Sequence, residues 1–89
     1  MEIELKNKLI HLSQKYFSLK FYLFGSSITD PHYRDVDILI LYRNRNDLLV
    51  LKTEINFFSN SYPLDITYLT YEEEKEFDFI NQVSAFELK

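Results

Sequence analysis

Three aspartates in otherwise apolar segments are the residues of this chain best suited to chemistry. Asp35 and Asp37 open the run DVDILILY (35–42), and Asp65 is the second residue of LDITYL (64–69). Side chains two residues apart in a strand point to the same face, so Asp35 and Asp37 are predicted to project together, about 7 Å apart. Aspartate is depleted in strands, and like charges on one strand face are accommodated most readily when cations lie between them.

The third aspartate strengthens this pattern. If the strand that carries Asp65 lies beside the strand that carries Asp35 and Asp37, the three carboxylates can meet on one face. Such a cluster has room for two hard cations and suits an in-line displacement at phosphorus. The sequence therefore predicts Asp35, Asp37 and Asp65 as metal-ligating and catalytic residues.

A turn that could hold phosphates precedes these aspartates. Gly25 is the only glycine of the 89-residue chain, and it follows the apolar segment FYLF (21–24). A lone glycine at a strand end indicates a positive φ or a close approach by a ligand, and backbone N–H groups at such a corner can face a phosphate. Carboxylates for Mg²⁺ and a turn for phosphates are the two halves of a nucleoside-triphosphate site. An ordinary turn glycine is the alternative interpretation of Gly25.

Hydrophobic periodicity predicts the elements that would position these residues. Three strands are predicted, over 21–24, 35–42 and 64–69. Three helices are predicted: an amphipathic helix over 2–17, a helix with an apolar stripe at Leu48, Leu51, Ile55 and Phe58, and a helix from 71 to about 81. Asn44 or Asn46 can cap the second helix. Thr70 and Glu73 have the spacing of a capping box for the last helix. The order α-β-β-α-β-α predicts one α/β (α+β) domain over 1–89, with a mixed sheet of three or slightly more strands flanked by helices.

Composition excludes several classes of protein. The chain is 46% hydrophobic and 17% aromatic, which argues against disorder, and its formal net charge of −4 argues against binding to duplex DNA. It has no cysteine, which excludes disulfides and thiolate metal sites. No apolar run approaches the roughly 20 residues of a membrane span, and no signal-peptide pattern begins the chain. A cytoplasmic protein without a membrane partner is the expectation.

Taken together, FGSS (24–27), DVDILI (35–40) and LDI (64–66) resemble the motifs of the nucleotidyltransferase superfamily that includes DNA polymerase beta. In size the chain is similar to the minimal nucleotidyltransferases, stand-alone domains found as antitoxins beside HEPN-type toxins. The resemblance spans residues 21–69. It implies a small nucleotidyltransferase fold and transfer of a nucleoside monophosphate from a nucleoside triphosphate, ATP in the first instance, to a hydroxyl of a partner protein or an RNA.

The resemblance also implies roles for individual residues. Asp35 and Asp37 would bind two Mg²⁺ ions, with Mn²⁺ as the alternative metal, and Asp65 would complete one metal and help to orient the attacking hydroxyl. The nucleotide-binding residues would be Gly25, Ser26, Ser27 and Arg34, with Gly25 and Ser26 holding the β- and γ-phosphates. Arg34 has an alternative role, which is to offset the charge of the carboxylates.

Two other functions remain open from the sequence. Many minimal members of the superfamily carry an arginine-rich turn after Gly-Ser, whereas Ser27-Ile28-Thr29 stands there in this chain. That departure favours a catalytically idle binding module of the same fold, which would neutralise or scaffold a partner. The expected partner is a HEPN-type toxin or another helical subunit, or a second copy in a homo-oligomer. A metal-dependent phosphatase or nuclease is the third alternative.

Overall fold

A computed structural model describes residues 3–25 and 35–88 of the chain. The elements in chain order are α1 (Ile3–Lys15), β1 (Lys20–Phe24), β2 (Val36–Tyr42), α2 (Arg45–Ser59), β3 (Leu64–Thr70), α3 (Tyr71–Phe77), α4 (Phe79–Val83) and β4 (Phe86–Glu87). In the described part of the chain, no helix is long and apolar enough to cross a membrane.

The strands form one four-stranded mixed sheet in the order β3-β2-β1-β4. β1 runs antiparallel to both β2 and β4, whereas β2 and β3 are parallel. Parallel neighbours need a crossover, and α2 provides it. The fold is therefore α+β, with a mixed sheet flanked by helices, as the sequence predicts at that level.

One face of the sheet carries the core. Val36, Ile38 and Ile40 of β2 point to this face and are fully buried. Alternate residues of a strand share a face, so Phe21 and Leu23, which pair with Ile40 and Ile38, join them. The helix residues that cover this face are Leu5, Leu9 and Leu12 of α1 and Leu51 and Ile55 of α2.

The opposite face carries Asp37, Leu39 and Leu41 of β2. Leu39 and Leu41 are buried as well, because α3 follows β3 and packs against β2 and β3. The apolar half of this strand is therefore covered on both faces. Asp37, near the N-terminal end of β2, is only half-buried.

The helix boundaries follow their caps. The Asn44 carboxamide oxygen accepts a hydrogen bond from the Asn46 N–H over 2.8 Å, so Asn44 is the residue that caps α2. Leu48, Leu51 and Ile55 of the predicted stripe are buried, while the side chain of Phe58 lies outside the described residues. The capping box of α3 is confirmed: Thr70 and Glu73 exchange reciprocal side-chain-to-backbone hydrogen bonds.

The C-terminal region differs from the prediction of one helix over 71–81. That helix breaks at Asp78, whose φ is 54°, and both oxygens of the Glu74 carboxylate accept hydrogen bonds, 3.1 Å each, from the N–H groups of Phe79 and Ile80. These bonds satisfy the first donors of a new helix, α4. The sequence prediction also lacks β4, because a two-residue strand has no periodicity to recognise.

Candidate active site

The register of the sheet brings two of the predicted aspartates side by side. Asp37 of β2 lies directly opposite Asp65 of the parallel strand β3, and opposite Phe24 of β1. Residues in register on neighbouring strands share a face, so both carboxylates project from the face opposite the core. β3 therefore lies beside β2, as the convergence of these carboxylates on one face requires.

Asp37 and Asp65 form a close pair of like charges. Asp37 is half-buried and Asp65 is exposed. Burial of Asp37 raises the pKa of its carboxyl group, and the negative charge of Asp65, a hydrogen bond with Asp65 and the charge of Asp35 raise it further. Among the described residues, no lysine or arginine forms an ion pair with either carboxylate. A shared proton or a bound cation would relieve the repulsion between the two carboxylates.

Gly25 closes one side of this pair. Its φ is +84°, and a Cβ added there would lie 2.0 Å from Oδ2 of Asp37 and 2.9 Å from its Cγ. Any other residue at this position would be strained by the positive φ and would collide with the Asp37 carboxylate unless the structure shifted. The corner after β1 thus lies against the Asp37 carboxylate.

Asp35 takes a different position from the one predicted. β2 begins at Val36, so Asp35 precedes the strand, and it is exposed. Its charge still contributes to the raised pKa of Asp37. Within 3–25 and 35–88, no three acidic or histidine side chains converge in a geometry that could hold a metal ion. The described structure therefore shows a pair of aspartates with the third nearby.

The remaining predicted nucleotide-binding residues are Ser26, Ser27 and Arg34. All three lie outside the described residues. Their roles at the phosphates stay predictions.

An aromatic contact beside the carboxylates was not predicted from the sequence. The rings of Phe24 and Phe79 pack edge to face, with centroids 5.3 Å apart and an interplanar angle of 90°. Phe24 pairs with Asp37 across β1 and β2, so α4 supplies an apolar wall next to the site. The only sequence signal was the aromatic density of FDFI (77–80), and nothing in its spacing points to Phe24.

Comparison with known proteins adds no assignment. No protein-family model matches the chain, and no curated protein matches it significantly. The resemblance to nucleotidyltransferases therefore depends on the short motifs and on the arrangement of the residues that carry them.

The donor set fits a hard divalent cation. Carboxylate oxygens are the ligands that Mg²⁺ prefers, and Mg²⁺ is commonly held by one or two carboxylates, with waters and substrate phosphates filling its other positions. Asp37 and Asp65 supply two such groups without a compensating cation from the described residues. The absence of a side chain at Gly25 lets the Asp37 carboxylate lie directly against the backbone of this corner.

Proposed function

We propose that this protein is a Mg²⁺-dependent nucleotidyltransferase of minimal size, with the fold of that superfamily. It would transfer a nucleoside monophosphate from a nucleoside triphosphate to a hydroxyl of a partner protein or an RNA. The observation that carries the proposal is the pairing of Asp37 with Asp65 across parallel strands, directly against the Gly25 corner.

The geometry suggests a division of labour within the pair. Asp37 is the more enclosed carboxylate, between the Gly25 corner and β3, so it would hold Mg²⁺ at a defined position. Asp65 is exposed and would meet both the metal and the incoming acceptor, whose hydroxyl can donate a hydrogen bond to it. Bound Mg²⁺ would neutralise charge that develops on the phosphates. Asp35 would contribute from the segment that enters β2.

The electrostatics of the two carboxylates support this proposal. The factors that raise the pKa of Asp37 are burial and neighbouring negative charge, and both disfavour a bare carboxylate pair. A fold has no structural reason to place two acids in register across neighbouring strands, because like charges directly opposite are destabilising. Binding of a divalent cation removes the repulsion, so the destabilisation of the free protein by the two carboxylates is consistent with a functional role.

The experiment that tests the proposal has two stages. Isothermal titration calorimetry with Mg²⁺ and a non-hydrolysable ATP analogue measures binding, and transfer of label from α-labelled ATP to a candidate acceptor measures chemistry. Asp37→Asn is expected to abolish both. Asp47→Asn is the matched control, because Asp47 bonds the Ser18 hydroxyl beyond the other end of β2, and it should leave both unchanged.

The outcomes separate the alternatives. Mg²⁺ binding without dependence on the nucleotide would favour the phosphatase or nuclease function. No metal binding by the wild type, or equal label transfer by wild type and Asp37→Asn, would contradict the proposed activity.

One observation favours the idle binding module as a second candidate. Asp35 is exposed and does not complete a three-ligand group in the described part of the chain. The binding module predicts that Asp37→Asn still neutralises or binds the partner protein. A loss of partner binding in that variant, with the fold intact, would contradict it.

A further inference from the structure

β3 is an edge strand whose sequence lacks the features that usually protect an edge. It lies at one end of the order β3-β2-β1-β4, and its pairing with β2 runs without a bulge over Leu64–Thr70. The sequence of this strand, LDITYLT, has no lysine or proline and a single charge. Natural edge strands are commonly short, bulged or charged, because an unpaired backbone is a template for another chain. The opposite edge follows this rule, since β4 has two residues.

The hydrogen bonds of β3 show which of its backbone groups face outward. The Val36 N–H donates to the Pro63 carbonyl over 2.9 Å. Successive residues of a strand direct their N–H and C=O groups to alternate sides, so the odd-numbered residues of β3 direct these groups to β2. The groups that face away from the sheet belong to Leu64, Ile66 and Tyr68. In the described part of the chain, no hydrogen bond involves these outward groups.

The side chains of β3 leave apolar surface along the same edge. Leu64, Ile66 and Tyr68 pack against the core, yet each stays partly exposed. The residues of β2 in register with them are fully buried. Alternate side chains of a further strand would cover the exposed part of these three residues.

The other face of β3 places Asp65 beside any strand that pairs with this edge. Asp65 is exposed, and Asp37 lies in register with it on the side of β2. Because the backbone groups of Asp65 point to β2, a residue of an added antiparallel strand would face Asp65 as a non-hydrogen-bonded pair, with Cα atoms about 4.5 Å apart. A short hydroxyl side chain at that position reaches the Asp65 carboxylate.

The chemistry of this edge selects a polypeptide as its occupant. An extended peptide backbone repeats donors and acceptors at the spacing of the outward groups, which is the basis of recognition by strand addition. Charge favours a peptide over an RNA. The formal net charge of the chain is −4, and neither Asp37 nor Asp65 forms an ion pair with a described residue, so a polyanion is repelled from this edge.

We infer that the outer edge of β3 docks an extended segment of the acceptor protein, which adds as an antiparallel fifth strand and presents a serine or threonine hydroxyl beside Asp65. The inference rests on the proposed nucleotidyl transfer and names its acceptor. The hydroxyl oxygen forms a bond to the α-phosphorus of the nucleoside triphosphate, and the bond from that phosphorus to the oxygen shared with the β-phosphate breaks. Pyrophosphate leaves with the electron pair of the broken bond, and the hydroxyl proton passes to the Asp65 carboxylate.

Peptide binding in EDTA without nucleotide tests the docking site by itself. The probe is a fluorescent peptide, Val-Lys-Val-Ser-Val, whose apolar alternation fixes its register with serine opposite Asp65 and its third residue opposite Ile66. The N–H of that third residue donates to β3, whereas the N–H of the second residue points away. N-methylation of the third residue should weaken binding at least about tenfold. N-methylation of the second residue is the matched control and should leave binding unchanged.

Two proline variants locate the bound peptide. Ile66→Pro removes an outward donor and leaves the donors of the β2–β3 ladder in place, so it should weaken binding at least about tenfold. Glu87→Pro is the matched control at the opposite edge, because the Leu88 N–H donates to the Phe21 carbonyl and the Glu87 N–H therefore faces outward as well. Circular dichroism of both variants establishes that the fold is intact. The comparison of N-methylated peptides uses the unaltered protein and decides the question even where a variant does not fold.

Transfer of label from α-labelled ATP in Mg²⁺ tests the acceptor role. The serine of the probe peptide should be labelled, and the peptide with alanine in place of serine should bind equally and take no label. N-methylation of the third residue should reduce labelling at least about tenfold at a peptide concentration below saturation.

The outcomes separate this inference from the proposed function. The docking site is overturned by the absence of saturable binding at millimolar peptide, by equal effects of the two N-methylations, or by loss of binding in Glu87→Pro. Label on an RNA, with none on the bound peptide, would overturn the acceptor role and keep nucleotidyl transfer. Binding with the expected pattern but no transfer to any acceptor would support the docking site and contradict the proposed function.

Discussion

Replacement of Asp37 by asparagine should stabilise the free protein at neutral pH. The change removes one of two like charges that face each other across β2 and β3 and keeps the shape of the side chain. Two unit charges about 4 Å apart repel each other by about 1 kcal/mol in water and about 4 kcal/mol near a protein surface. Because Asp65 is exposed, we take the lower part of that range, about 1–2 kcal/mol. This corresponds to a rise in Tm of roughly 4–16 °C for a domain of this size.

The gain should depend on pH with a defined sign. Folding raises the pKa of Asp37 above its ordinary value of 3.8, so the folded state binds the proton more tightly than the unfolded state does. The repulsion is absent below pH 3.8, where the carboxyl is protonated in both states, and it develops as pH rises through the raised pKa of the folded state. The stability difference between Asp37→Asn and the wild type should therefore be close to zero at low pH and largest at neutral pH.

Thermal unfolding followed by circular dichroism, in EDTA and with added Mg²⁺, measures both effects. Mg²⁺ at ten times its Kd should stabilise the wild type by about 1.4 kcal/mol and should leave Asp37→Asn unchanged. Asp47→Asn serves as the control and should show no gain at any pH. The reasoning is refuted if Asp37→Asn is no more stable than the wild type at neutral pH in EDTA, or if its advantage persists unchanged at low pH.

Three further changes test other parts of the structure. Gly25→Ala should cost about 1–2 kcal/mol from backbone strain alone and should weaken Mg²⁺ binding, because the new Cβ would lie 2.0 Å from Asp37 Oδ2; calorimetry showing wild-type affinity would contradict the close packing. Glu54→Gln should lower the pKa of Tyr16 from about 12 towards its ordinary value of 10, and should lower the stability of the fold by about 1 kcal/mol. An ultraviolet titration of tyrosinate measures the pKa, and an unchanged titration curve would contradict the prediction. Ser84→Gly should raise stability by about 0.5–1 kcal/mol in denaturant unfolding, since φ is 55° there, and a loss of stability would show that the serine side chain matters more than its backbone conformation.

Much of the scaffold was predictable because local rules act within a few residues. Alternation along the strands marked which residues of β2 and β3 share a face, and the Thr70–Glu73 spacing marked the start of α3. The uniqueness of Gly25 in the sequence marked the corner where φ is positive. Each of these signals depends only on residues that are close together in the sequence, so it can be recognised without knowledge of the fold.

The C-terminal region was less predictable, for a physical reason. Asp78 adopts a left-handed conformation in the middle of a helical pattern, and the Glu74 carboxylate satisfies the donors of the helix that follows. That side-chain cap competes with continuation of α3, and hydrophobic periodicity along the sequence does not reveal this competition. The contact of Phe79 with Phe24 then depends on where α4 is directed.

The sequence by itself determined which residues could do chemistry: an Asp-x-Asp at the head of an apolar strand, a third aspartate in a later strand, and a single glycine before them. Only the tertiary structure decided that Asp37 faces Asp65 while Asp35 stands outside the strand. Strand register depends on the crossover through α2 and on the packing of the apolar residues beneath the sheet. A shift of one residue in that packing would turn Asp65 to the opposite face, and no local pattern carries that information.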